Sequence, residues 1–162
     1  MRLALLDSNV VIASVAEAHE HHEASISLFL DRPNHSFAVA AHSYSEAYSI
    51  LTRRSQSSPF RWPAADAIAA LESVAAKCVL VGLTHAQTFD AVKSFAAEGR
   101  VGPRLYDRLI GEAALLNGLE CIVTWNTSHM SSLFSNIRVL DPIEFRDFQV
   151  PSKSRPPRIR KE

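Results

Sequence analysis

The sequence predicts a three-layer α/β domain with a mostly parallel central sheet flanked by helices. Short apolar runs of strand length recur along the chain: Arg2–Leu6, Phe37–Ala40, Cys78–Val81 and Cys121–Thr124, with a weaker fifth at Ile137–Leu140. Helical patterns separate them. The runs are apolar without alternation, which marks strands buried on both faces, and parallel sheets covered by helices supply that burial.

Taken in order, the first run begins directly after Met1 and is stopped by Asp7 and Asn9, so it reads as a strand and not as a signal peptide. Val10–Val15 follows as helix. Ala24 and Leu28, with Ile26, Phe29 and Leu30 beside them, give one apolar helical face. Tyr44, Ala47, Tyr48 and Leu51 give another. Pro63 suits a helix start, and the alanine-rich stretch Ala64–Ala76 follows it. Thr84 can cap a helix running to Glu98, with Gly99 as its stop. Leu105–Leu116 is a further helix, ended near Asn117-Gly118. Arg53–Pro59 is serine-rich and polar, an expected exposed loop. No internal repeat interrupts this order.

A length of 162 residues fits one domain. No apolar run approaches the roughly 18 residues that span a bilayer. With no targeting segment in view, the expected location is the cytoplasm. Cys78 and Cys121 each lie inside an apolar run and form no CxxC or zinc pattern, so they read as buried reduced thiols. Net charge is zero but unevenly placed. Pro151–Glu162 holds five basic residues against Glu162 alone, a tail of +4, which leaves −4 on the remainder. Residues 1–147 therefore form the expected domain. Residues 148–162 form a basic, proline-rich tail with too few apolar side chains to fold. By charge the tail could contact phosphates, or it could only solubilise.

Open parallel sheets bind ligands at the carboxyl ends of their strands. Asp7-Ser8-Asn9 follows the first run, Glu46 lies in the helix after the second, Trp125-Asn126 follows the fourth, and Asp107 opens the helix before it. Each acid has a plainer reading. Asp7 could be a helix N-cap, Glu46 a solvated helix residue, and Asp107 a first-turn acid favoured by the macrodipole. Three carboxylates converging on one edge would repel one another, and a divalent cation would relieve that repulsion. Oxygen ligands suit Mg²⁺ or Mn²⁺, and such an ion favours attack of water on a phosphodiester.

Four segments resemble the motifs of PIN-domain ribonucleases: Leu5-Leu6-Asp7-Ser8-Asn9 with its apolar helix start, His42–Arg53 around Glu46, Leu105–Ala114 around Tyr106-Asp107, and Ile122–Met130 with Thr124, Asn126 and His129. They stand in the family's order and cover about residues 2 to 145. The length and the lack of extra domains resemble the VapC-like toxins of toxin–antitoxin pairs most. The resemblance implies a PIN-like three-layer domain and an endoribonuclease using Mg²⁺ or Mn²⁺. It implies Asp7 and Asp107 as main metal ligands, with Glu46 completing the acidic set directly or through water. Asn126 stands at a fourth position where some relatives carry Asp. It brings no charge, which leaves the number of ions open. Ser8 and Asn9 are implied as polar support for Asp7, and His129 as a packing or capping residue. Implied partners are RNA, a cognate antitoxin that blocks the site, and a second copy of the chain as a homodimer, with no membrane.

Other readings compete. A degenerate PIN-type module could hold RNA or protein without cleaving it, and a DNA nuclease would look much the same. An Asp-x-Asp phosphatase would need an acid at Asn9, which cannot donate a proton as a general acid. The run Glu17–Glu23 carries His19, His21 and His22 and reads as a polar turn or a transition-metal site. Trp125 could stack on a base or pack over the sheet.

Overall fold

The structure is a computed structural model that describes residues 3–30, 36–56 and 58–147. The tail expectation lies outside the described residues. The elements are β1 (Ala4–Leu6), α1 (Ser8–Val15), α2 (His22–Leu30), β2 (Phe37–Ala40), α3 (Ala41–Thr52), α4 (Ala64–Ala75), β3 (Cys78–Val81), α5 (His85–Ala97), α6 (Arg104–Leu116), β4 (Cys121–Val123), α7 (Thr127–Leu133), β5 (Arg138–Leu140) and α8 (Pro142–Asp147). The five strands form one sheet in the order β3-β2-β1-β4-β5, and every pairing is parallel. The expected mostly parallel sheet is thus wholly parallel.

Strand alternation divides the core in two. Leu6, Phe37, Val39 and Val123 pack with Val10, Leu51 and Leu71 on one side of the sheet. Leu5 and Ile122 pack with Ile110, Ala114, Met130 and Phe134 on the other. A short strand buried on both faces needs apolar residues at every position, and β1, β2 and β4 have them. The edges differ. Leu80 of β3 is 65% exposed and Arg138 of β5 is exposed, because each edge strand has helix cover on only part of its surface. Both cysteines are buried thiols.

The helix signals hold locally. Thr84 accepts from the Gln87 backbone N–H at 3.2 Å while the Gln87 side chain accepts from the Thr84 N–H at 2.8 Å, a closed capping box. Gly99 follows α5 at φ +70°, the left-handed conformation that ends helices. The described part of the Arg53–Pro59 loop is exposed but for a half-buried Ser58. The histidine run spans the turn between α1 and α2 and the first two residues of α2. Two short helices were not expected, although Asp141 and Glu144 cap the start of α8 reciprocally. Met130 is the one buried residue of α7, and α8 has six residues, so neither shows a period.

Candidate active site

The register of β1 and β4 builds the site. Leu6 pairs with Val123, so the next residues, Asp7 and Thr124, leave the sheet side by side. The Asp7 backbone N–H donates to the Val123 carbonyl at 3.0 Å. The Asp7 carboxylate is 3% exposed. Its Oδ1 accepts from the Ser8 backbone N–H at 2.6 Å, which makes it the N-cap of α1, and from Ser8 Oγ at 3.3 Å. Its Oδ2 accepts from Asn9 Nδ2 at 2.9 Å and from Thr124 Oγ1 at 2.6 Å. The cap reading and the site reading of Asp7 therefore describe one carboxylate, with one oxygen for each.

Thr124 and Asn9 lock the loops after β1 and β4 together. Thr124 Oγ1 accepts from Asn9 Nδ2 at 2.9 Å and from the Asn126 backbone N–H at 3.0 Å. Asn9 Oδ1 accepts from the Trp125 backbone N–H at 3.1 Å. Thr124 is the supporting residue to which sequence reasoning gave no role. Its signal was a polar residue at the end of an apolar strand.

Glu46 and Asp107 are both half-buried, on α3 and in the first turn of α6. These helices pack on each other, and His42, one turn before Glu46, stacks on Tyr106 with centroids 5.0 Å apart. Asp7 responds to both acids. Its pKa is raised from 3.8 to about 6. Burial is the largest cause, the Thr124 hydrogen bond opposes it, and the charges of Asp107 and Glu46 add to it. Asp107 is also raised, by burial and then by Glu46, while the positive charges of His129 and Arg104 oppose the rise. The three acids thus share one field. Their shared field does not make them a closed cage: among the described residues, no three His, Cys, Asp or Glu side chains stand close enough to grip one ion together.

Asn126 sits at the N-cap of α7, half-buried, and its side chain makes no capping bond. Ser8 is buried, and His129 is exposed on α7. Trp125 packs: its ring stacks on His21 at 3.9 Å, and its indole N–H donates to Ser25 Oγ at 2.9 Å. Both its polar edge and one face are engaged, which leaves the base-stacking reading without support. His22 is held by its Nδ1 against the Ala13 carbonyl at 2.9 Å. The histidine run is therefore a packed turn, with no metal cluster among the described residues.

Comparison with known proteins agrees with the fold. No curated protein matches the chain. Among solved structures, the chain is similar to VapC20 of Mycobacterium tuberculosis, described as a Sarcin-Ricin loop cleaving toxin. That likeness has a TM-score of 0.63 at 14% identity and covers 83% of this chain and 98% of that chain. It is also similar to DNA-bound VapBC of Salmonella typhimurium, with a TM-score of 0.60 at 23% identity, over 88% of this chain and 99% of that one. A third is VapBC2 of Rickettsia felis bound to a fragment of its promoter DNA, with a TM-score of 0.58 at 13% identity, over 85% and 96%. At these identities the likeness is one of fold. The model of the PIN domain matches residues 4–130, a span that holds Asp7, Glu46, Asp107 and Asn126 alike, and the chain belongs to the PIN domain family.

Proposed function

We propose that this protein is a metal-dependent endoribonuclease and the toxin of a type II toxin–antitoxin pair. The observation that carries the reading is the buried Asp7 carboxylate, held at the carboxyl end of a parallel sheet in the combined field of Asp107 and Glu46. Hard oxygen donors of this kind fit Mg²⁺ or Mn²⁺, and open spacing between them fits an ion that keeps several waters. Asp7 and Asp107 would hold it, with Glu46 joining directly or through water. Bound there, the ion would neutralise the acids, polarise a phosphoryl oxygen and ease deprotonation of water. The chain's own part is orientation. Thr124 and Asn9 fix Asp7 Oδ2, and the Asn126 carboxamide, free of a capping bond, can hydrogen-bond water or substrate without adding charge.

The toxin reading rests on the fold shared with VapC20 and with toxin–antitoxin complexes. An antitoxin needs an apolar seat. A groove of about 780 Å³ between α3 and α4, lined by Tyr44, Tyr48, Ile68 and Leu71, offers one. A second copy of the chain is the other proposed partner.

The test is cleavage of single-stranded RNA by purified protein with Mg²⁺ or Mn²⁺, against EDTA and against single-stranded DNA. Asp107→Asn and Asp7→Asn should each lose at least about a hundredfold in rate, the scale of losing a principal electrostatic group. Near wild-type cleavage by either variant would overturn the site. Equal cleavage of DNA would overturn the substrate class.

A further inference from the structure

The acidic pocket faces a substrate that carries a negative charge on every nucleotide, so the same acids that could hold a cation repel the strand to be cut. Positive side chains at the rim would offset this, provided they are not already spent in ion pairs. Most basic residues of the neighbouring helices are spent. Lys93 pairs with Asp90 at 2.7 Å, and Arg100 with Glu98 at 2.7 Å. Arg108 is held by Glu98 at 3.1 Å and Glu112 at 2.9 Å.

Arg104 is different. It is the exposed first residue of α6, and no hydrogen bond or ion pair engages its guanidinium among the described residues. It stands three residues before Asp107, and that spacing puts both on one face of the helix. His129 is its counterpart on α7, which packs against α6. It is exposed, three residues beyond Asn126, and its imidazole likewise has no partner among the described residues. Both charges reach the Asp107 carboxylate.

We propose that Arg104 and His129 are the phosphate ligands of the substrate strand. They donate to non-bridging oxygens at or next to the scissile phosphodiester while the acids take the cation. The inference rests on the nuclease reading of the same pocket. A planar guanidinium fork matches two phosphate oxygens, which makes Arg104 the main ligand and a Lys in its place an incomplete substitute.

The test uses a fluorescein-labelled single-stranded oligoribonucleotide and its deoxy counterpart. Binding is followed by anisotropy with Ca²⁺ over a range of KCl. Cleavage of the RNA is followed with Mn²⁺. Arg104→Ala should lose about tenfold in kcat/KM and lower the salt slope of binding by about 0.7, the value for one contact to a single strand. Arg104→Lys should recover part of the rate, and His129→Ala should show a smaller loss in the same direction. Lys93→Ala removes an equal charge from an existing ion pair and should change neither quantity. Melting temperature should hold in the Arg104 variants, since the side chain has no hydrogen bond or ion pair to lose. If wild type cleaves RNA and Arg104→Ala matches it in rate and salt slope, the phosphate assignment falls while the nuclease reading stands. If wild type binds the strands without cleaving, the nuclease reading falls and the salt slope of Arg104→Ala still decides the contact. If wild type binds neither strand, both fall.

Discussion

At the residue scale, the two principal acids differ in what holds them. Both Asp7 oxygens accept hydrogen bonds, whereas no hydrogen bond among the described residues reaches the Asp107 carboxylate. Neutralising Asp107 therefore relieves repulsion at little structural cost. In EDTA, Asp107→Asn should melt at or above the wild-type temperature. With Mn²⁺ at a hundred times its dissociation constant, wild type should gain about 2.7 kcal/mol and the variant much less. An equal gain in both would show that Asp107 is not a ligand. Asp7 gives a pH signature instead. Folded Asp7 keeps its proton to about pH 6, against an ordinary value of 3.8, so the folded state binds more protons between those values. Metal-free stability should fall as pH rises from 4 to 6, by up to about 3 kcal/mol, and Asp7→Asn should flatten that fall. Urea melts at pH 4, 5 and 6 measure it, and parallel curves for the two proteins would contradict it. Asp7 itself was legible in the sequence because strand, acid and helix adjoin there. Thr124 was legible as a motif position but its role was not, since only the register of β1 and β4 reveals that residues 117 positions apart share a hydrogen bond. Thr124→Val removes the donor to Asp7 and the acceptor for Asn9 and Asn126 together. It should cost about 1–3 kcal/mol in a thermal melt, the range for stranding buried polar groups.

At the element scale, α6 positions the site through a close approach to α7. A side-chain carbon added at Gly111 would overlap the Phe134 ring, just past the end of α7. That ring is buried and also lies under the Arg108 guanidinium, so it has nowhere to retreat. Gly111→Ala should destabilise by about 1–3 kcal/mol despite the better helix propensity of Ala. It should also lower RNA cleavage, because the displaced helices carry Asp107 and His129. A melting temperature at or above wild type would sink this packing account. The strands were legible as unbroken apolar runs, and the long helices from apolar periods, alanine content or cap residues. α7 and α8 escaped because each buries only one or two residues, too few for a period. The exposure of Leu80 also escaped, since an apolar run reads the same at the edge of a sheet as at its centre.

At the scale of the whole molecule, the α3–α4 groove makes a prediction about partners. Ile68 is 48% exposed on α4, so Ile68→Asp should leave folding and RNA cleavage intact. It should weaken co-purification with a co-expressed antitoxin at least about tenfold. Unchanged co-purification would place that partner elsewhere. The strand order has a consequence for synthesis. β1 is made first, yet one of its two neighbours in the sheet is β4, residues 121–123. Its contacts are therefore of high contact order, a topology that folds slowly. A nascent chain that already carries Asp7 still lacks Asp107, Thr124 and Asn126, and 117 positions separate Asp7 from Thr124. The constellation cannot assemble on a fragment that ends before β4. On the nuclease reading, such a chain would stay inert toward RNA until β4 has emerged and docked beside the strand that was made first.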